Sequence, residues 1–140
     1  MKNLSLFFTA LLLQHCAQQD NTSVEQIRVS YVDLSIYTTV SVGCSDFERY
    51  FESSISNKTL NDKQKCNELV DAITEWVGEA KRFTDSPDTR MQIQNIQADT
   101  IASQICVGYN LVSYEGNSYA VDDKFREIVR QLIESGTPLR

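Results

Sequence analysis

Two segments place apolar residues three and four positions apart, which predicts amphipathic helices over 66–80 and 125–133. Asn61 is suitably placed to begin a capping box ahead of the first helix. Asp122 or Asp123 is expected to cap the second. The apolar stripes are Cys66, Leu69, Val70, Ile73, Trp76, Val77 and Ala80 in the first helix, and Phe125, Ile128, Val129, Leu132 and Ile133 in the second.

Alternation of apolar and polar residues predicts β-strands in much of the remaining chain. The phase of this alternation changes near Asp33, so the first β-region is expected to be two antiparallel strands that meet there. Ser45 and Glu48 form a capping-box pattern, which predicts a short helix with an aromatic face. Loops are expected at 53–58 and 83–89. The predicted strands occupy 24–44 as a pair, 90–97, 101–109, 111–114 and 118–121.

The predicted strands are clustered instead of alternating with the helices, which indicates an α+β fold. We expect an antiparallel sheet of about five strands with two long helices packed on one face, in the order ββααβββ(β)α. Residues 25–136 are expected to form this single globular domain. Residues 137–140 are expected to be a frayed tail.

The first 16 residues differ in composition from the rest of the chain. Lys2 is their only charge, and a largely apolar run of ten residues extends from Leu4 to Leu13. A membrane-spanning helix needs roughly 20 apolar residues, so this run is too short to cross a bilayer. A charged start followed by a short apolar core is typical of a secretory signal peptide, predicted here at 1–15. The alternative is the amphipathic first helix of a cytosolic domain, although the run is apolar on all faces.

Cys16 lies just beyond this apolar core, and Leu13 stands three residues before it. The arrangement resembles the signal of bacterial lipoproteins, although His15 stands where those signals have a small residue. The resemblance is limited to the N-terminus. It implies lipid modification of Cys16 and an exported protein anchored in the periplasm or at the outer membrane, with 16–24 as a flexible tether. Cleavage after Ala17, which leaves a soluble secreted domain, is the alternative.

Charge and histidine content narrow the range of functions. The 140 residues carry 13 Lys and Arg against 19 Asp and Glu, a net charge of −6, which argues against nucleic acid as a partner. The one histidine, His15, lies in the predicted signal, so the mature domain is expected to have no imidazole. This excludes Ser-His-Asp and Cys-His catalysis and the usual histidine-containing metal sites. The sequence also has no phosphate-loop, dinucleotide or calcium-loop motif, so no cofactor and no metal are expected.

Carboxylates are the remaining candidates for acid and base chemistry. Two carboxylates held close together can hydrolyse a glycosidic bond without histidine. No spacing in the sequence indicates such a pair, so we expect no catalytic residues, with a carboxylate-only hydrolase as the alternative. The aspartates at predicted turns and helix starts, where caps and turn formers explain them, are Asp33, Asp46, Asp88, Asp99 and Asp122.

Three cysteines lie within the predicted domain: Cys44, Cys66 and Cys106. None belongs to a C-x-x-C motif, which argues against a thioredoxin-like or zinc-binding role. Three buried thiols are the simplest expectation, since free cysteine behaves as a small apolar residue. If an oxidising compartment joins one pair, Cys44 and Cys106 are favoured because both lie in predicted strands.

Tyrosines near the predicted hairpin suggest a binding surface, since tyrosine combines a large contact area with a polar tip and is enriched at interfaces. Tyr37 is placed on a predicted sheet face as well. The alternative is that these side chains form cross-strand pairs that stabilise the sheet. The candidate patch, for a protein or glycan partner, consists of Tyr109, Asn110, Tyr114, Asn117 and Tyr119.

Together these features predict an exported, lipid-anchored envelope protein that acts by binding instead of catalysis. One alternative is a small acidic inhibitor or immunity protein that blocks a basic site on its target. A second is the carboxylate-only hydrolase, and a third is a structural subunit of an envelope assembly.

The lipid anchor can be tested at Cys16. We expect Cys16→Ala to move the protein from the membrane fraction to the soluble fraction, because the variant has no thiol to carry the lipid. Fractionation of cells followed by immunoblotting measures the distribution. A variant that stays in the membrane fraction would contradict the anchor.

Overall fold

A computed structural model of the protein describes residues 24–138. The predicted signal peptide at 1–15, the lipidation site Cys16, the tether as far as residue 23 and residues 139–140 lie outside these described residues. The elements are β1 (Gln26–Tyr31), α1 (Phe47–Phe51), β2 (Ser56–Leu60), α2 (Lys63–Glu79), β3 (Arg82–Phe83), β4 (Met91–Gln97), β5 (Thr100–Val107), β6 (Leu111–Tyr114), β7 (Asn117–Ala120), α3 (Asp123–Ser135) and β8 (Thr137–Pro138).

The strands form one sheet in the order β3-β7-β6-β5-β4-β1-β2-β8, and every neighbouring pair is antiparallel. The α+β class and the single antiparallel sheet are therefore confirmed. The expected number of strands, about five, is wrong, because the sheet has eight. Of the three helices in residues 24–138, α2 and α3 are long and α1 has five residues.

The second strand expected in 24–44 is absent, and residues 32–43 form a loop. Both edges of β1 are occupied, by β2 and by β4, so no edge is left for the alternating segment to pair with. Strand β2 lies instead in a segment expected to be a polar loop. Its residues before Thr59 are polar and largely accessible, which hides the strand from hydropathy patterns.

The two shortest strands, β3 and β8, were not predicted. Each has two residues and caps one edge of the sheet. A period of two cannot be recognised in so short a segment. The expectation of a frayed tail is wrong for Thr137 and Pro138, since these residues pair with Thr59 and Lys58 of β2.

The long helices cover one face of the sheet and bury its apolar side chains. Trp76 of α2 lies at the centre of this core with 1% exposure, and its ring centroid is 4.4 Å from that of Phe125 on α3. The indole Nε1 donates to Asp122 Oδ1 at 2.9 Å, and the same oxygen accepts the Phe125 backbone N–H at 2.8 Å. One aspartate therefore caps α3 and ties it to α2.

The helix caps follow the sequence only in part. Asp122 caps α3, one of the two residues expected, and α3 ends before Gly136. For α2 the cap is Asp62, whose side chain accepts from the Lys65 backbone N–H at 3.1 Å, and not Asn61. Asn61 instead accepts a hydrogen bond from Gln26 of β1. The α2 cap therefore lies one residue later than expected, and the side chain of Asn61 bonds to β1 instead.

The opposite face of the sheet is polar and is partly covered by residues 32–55. Four apolar residues of this segment form a second, smaller core. Cys44 and Cys106 are joined in a disulfide with their Cα atoms 5.7 Å apart, which holds the segment to β5. This is the pair that the sequence favoured, although Cys44 lies in a 3₁₀ turn and not in a strand. The members of the second core are Val32, Val42, Phe47 and Phe51.

Cys66 is the one free cysteine among residues 24–138. It is fully buried in the core between α2 and the sheet, and this burial raises the pKa of its thiol. The expectation of three separate buried thiols is therefore wrong, and only this cysteine meets it.

The direction of β1 defines two ends of the sheet. At one end, which we call the Val24 end, lie Val24, the β4–β5 turn at Ala98 and Asp99, and the start of α2. At the other, the loop end, lie the 32–43 loop and the segments 86–90 and 108–110.

Truncation of Trp76 tests the central packing. Trp76→Ala should lower the free energy of unfolding by about 3–5 kcal/mol, because it removes a fully buried ring and a hydrogen bond to the α3 cap. Denaturant unfolding measures the difference. Ile101→Ala is the matched control, since Ile101 is 50% exposed and its loss should change the value by less than about 0.5 kcal/mol. Equal effects in the two variants would contradict this packing.

Candidate functional site

Large apolar side chains are concentrated in solvent at the loop end. We call Leu34, Tyr37, Val40 and Tyr109 the loop patch. Tyr37 is 88% exposed, and the other three are between 46% and 64% exposed. Tyr109 joins the patch to the loop, because its hydroxyl donates to the Leu34 carbonyl at 2.9 Å. Clustered exposed apolar side chains are a signature of interaction sites, whereas single ones are ordinary.

A tight turn sets the position of Leu34. The Ile36 backbone N–H donates to the Asp33 carbonyl at 3.0 Å, and the Ser35 N–H donates to Asp33 Oδ1 at 2.7 Å. This hydrogen bond lowers the pKa of the Asp33 carboxyl, because it stabilises the charged form. The aspartate expected from the sequence to form a turn does so, and Leu34 occupies the outer corner of that turn.

Both ends of the loop are held by residues 88–90. The Val32 N–H donates to the Arg90 carbonyl at 3.0 Å, and the Thr89 N–H donates to the Val42 carbonyl at 2.8 Å. The Asp88 side chain adds a hydrogen bond from the Val42 N–H at 2.7 Å. Residues 32–42 thus form an Ω-loop whose two ends meet on one short segment.

The buried guanidinium of Arg90 supports the loop from beneath. Arg90 is 4% exposed, and its Nη2 donates to Thr38 Oγ1 at 2.6 Å and to Asp88 Oδ2 at 2.7 Å. The same group lies 5.3 Å from the Phe51 ring and 5.5 Å from the Tyr109 ring, within the range of cation–π attraction. One charge therefore connects the loop, the short helix α1 and the loop patch.

A small cleft of about 170 Å³ lies beside Tyr109. The chain can form it because position 108 is glycine: a Cβ there would approach the Asp88 carbonyl oxygen to 2.7 Å, too close for any other residue. The cleft is lined by Ser86, Pro87, Asp88, Tyr109, Asn110 and Leu111.

The structure separates the five residues of the predicted patch. Tyr109 and Asn110 are exposed at the loop end. Tyr119 is 2% exposed and packs against Trp76, with ring centroids 5.8 Å apart, so its assignment to an exposed patch is wrong. Tyr114 and Asn117 pair across the hairpin away from the loop end. Tyr114 is half-buried, which raises the pKa of its hydroxyl.

Sequence reasoning missed Leu34 and Val40 because their segment alternates like a strand. It also placed Tyr37 on a sheet face, whereas Tyr37 lies in the loop. The sequence did not indicate that Arg90 is buried, since a single arginine at a strand start usually faces solvent. Its burial depends on Thr38 and Phe51, which approach it only in the folded chain.

Within residues 24–138 there is no cluster of three or more His, Cys, Asp and Glu side chains able to hold a metal ion. In the same part of the chain, no helix combines the length and apolar character needed to cross a membrane.

Comparisons of the chain with protein-family models, with curated proteins and with solved structures found no match.

The support that Arg90 gives to the loop can be measured. Arg90→Ala should lower the free energy of unfolding by about 3 kcal/mol, because it leaves the Asp88 carboxylate beside a cavity without its partner. Lys124→Ala is the matched control: Lys124 pairs with Glu75 and Glu79 at the surface, where solvent screens an ion pair and its loss changes stability little. Similar losses in the two variants, measured by denaturant unfolding, would refute a special role for Arg90.

Proposed function

We propose that the protein is an exported, lipid-anchored domain of the cell envelope that binds a partner protein through the loop patch. The observation that carries the proposal is the pinned Ω-loop, which exposes Tyr37 at 88% together with Leu34 and Val40, and to which Tyr109 is joined by a hydrogen bond. Aromatic side chains are enriched among the residues that dominate binding energy.

The pinned loop ends favour binding. A loop whose two ends and centre are held loses less conformational entropy when it docks than a free loop does. Here the backbone bonds at Val32 and Val42 hold the ends, and the Arg90–Thr38 hydrogen bond holds the middle. Leu34, Tyr37 and Val40 are thereby presented with more than half of each residue exposed.

The position of the patch agrees with an anchored domain. A tether from Cys16 would enter the domain at Val24, and β1 then runs about 20 Å from that end to the loop end. The loop patch would therefore lie at the end of the domain opposite its attachment point, where a partner in the envelope can reach it.

A protein suits the patch better than a glycan as partner. Leu34 and Val40 offer aliphatic surface with no polar atoms, whereas a sugar needs hydrogen-bonding groups around an aromatic ring. Asn110 is the one amide beside Tyr109 in the neighbouring cleft. A glycan remains the second class of partner, and the experiment below separates the two.

The inhibitor or immunity-protein alternative is favoured by one further observation. Asp33 lies exposed in the loop that carries the patch, and it has no ion-pair partner among residues 24–138. An unpaired acidic group beside an apolar surface would steer the domain towards a basic surface.

A photo-reactive phenylalanine analogue in place of Tyr37 tests the binding surface in cells. We expect a discrete protein adduct after irradiation, because the side chain is exposed and the patch is apolar. The same analogue at Ile101, which is half-exposed at the Val24 end, is the control. Absence of an adduct at 37, or the same adduct at both positions, would refute the loop patch as a protein-binding surface.

The adduct partner, once purified, allows the affinity to be measured. Replacing Leu34, Tyr37 and Val40 together with Ser should weaken binding by about tenfold or more, since these side chains would supply most of the apolar contact. Ile101→Ser should leave it unchanged. Retained affinity in the triple variant would contradict the proposal.

A further inference from the structure

The polar face of the sheet carries a second cleft, separate from the loop patch. It opens between α1 and the paired strands β1 and β2 and has a volume of about 250 Å³. At roughly 30 Å³ for each water molecule, it has room for about eight waters, or for one ligand of amino-acid size. Its walls are formed by Arg28, Ser30, Glu48, Glu52, Ile55 and Asn57.

The charged groups of this cleft are unpaired. Glu48 and Glu52 are four residues apart on α1 and its C-terminal cap, so their carboxylates lie on one side of the helix. The adjacent base, Arg49, pairs instead with Asp46 at 2.6 Å. Among residues 24–138, no ion pair is formed by Glu48, Glu52 or Arg28, although all three line the same cleft.

On the long helices, in contrast, pairs of carboxylates contact a basic side chain. Lys124 of α3 reaches Glu75 and Glu79 of α2 at 2.8 and 2.9 Å. Arg130 contacts Glu127 and Glu134 within α3 at 2.6 and 2.7 Å. Two carboxylates around one base is thus a repeated arrangement in this protein. The cleft also combines two carboxylates with one base, but Arg28 lies on the wall opposite Glu48 and Glu52.

The floor of the cleft offers hydrogen-bonding groups. Ser30 is 5% exposed, and its Oγ donates to Asn57 Oδ1 at 2.6 Å. This bond fixes the Asn57 amide and leaves its Nδ2 hydrogens without a partner among residues 24–138. Arg28 and Asn57 are therefore two donors on the sheet side, and Ile55 supplies an apolar contact.

The helix that carries the carboxylates is fixed in place. Phe47 and Phe51 of α1 are buried in the second core. The disulfide of Cys44 lies shortly before α1, and the Cys44 carbonyl accepts from Gln92 Nε2 at 2.7 Å. The backbone that carries Glu48 and Glu52 is thus fixed against the sheet before any ligand arrives, which reduces the cost of binding.

We propose that this cleft binds a diamino carboxylic acid, a small molecule with one carboxylate and two ammonium groups. The ligand carboxylate would be bound by Arg28 and Asn57, and one ammonium by Glu48 and Glu52. Its aliphatic chain would lie on Ile55. The two acidic groups against one basic group leave an excess of one negative charge, which matches a ligand of net charge +1.

Titration of the full-length protein followed by NMR tests the proposal, with L-lysine as the probe. We expect saturable shifts of the Arg28, Ser30 and Asn57 amide signals, with a dissociation constant of about 1 mM or lower. Norleucine lacks the side-chain ammonium and cadaverine lacks the carboxylate. Each should therefore bind at least about tenfold more weakly than lysine. Shifts that do not saturate, or equal affinity for all three compounds, would overturn the proposal.

Charge-removing variants locate the site. Glu48→Gln with Glu52→Gln, and separately Arg28→Gln, should each weaken lysine binding by about tenfold or more. The matched controls, Glu68→Gln with Asp71→Asn and separately Lys63→Gln, remove the same numbers of charges from exposed positions on α2 and should leave the affinity unchanged. Equal weakening in the controls would mean that only the net charge of the protein attracts lysine, which would also overturn the proposal.

Discussion

The burial of one positive charge governs the organisation of the loop end. Arg90 lies almost out of contact with water at the start of β4, and an isolated charge in that position would be strongly unfavourable. The protein compensates with the Asp88 carboxylate, the Thr38 hydroxyl and the rings of Phe51 and Tyr109. Those partners come from the loop, from α1 and from the 108–110 segment. Satisfying this charge therefore brings together the loop that carries the patch and the helix that forms one wall of the charged cleft.

The two faces of the sheet are stabilised in different ways. The helix-covered face is a continuous apolar core around Trp76, stabilised by the removal of apolar surface from water. The other face buries polar side chains, among them Gln92 and Gln94, which are held by hydrogen bonds to the Cys44 carbonyl and to Gln104. The disulfide adds a covalent link where the second core is small.

The loop patch and the charged cleft both include residues of the covering segment 32–55 but differ in chemistry. The patch consists of apolar side chains displayed on a clamped loop, which suits a large surface. The cleft consists of separated charges around hydrogen-bonding groups, which suits a small ligand. Both depend on the position of α1, because Phe51 contacts Arg90 and α1 also carries Glu48. A ligand in the cleft and a partner at the loop patch would therefore act on connected parts of the structure.

The sequence by itself determined the two long helices and the strands from Met91 to Ala120, because each has a period that local chemistry sets, and it narrowed the α3 cap to Asp122 or Asp123. It also singled out Tyr109, Asn110 and the Cys44–Cys106 pair. Only the tertiary structure decided that residues 32–43 form a loop, since that depends on whether β1 has a free edge. The burial of Tyr119, the exposure of Tyr37 and the position of Arg28 across a cleft from Glu48 likewise depend on the tertiary structure. The physical reason is that burial and charge pairing arise between segments far apart in the chain, and no local pattern encodes such contacts.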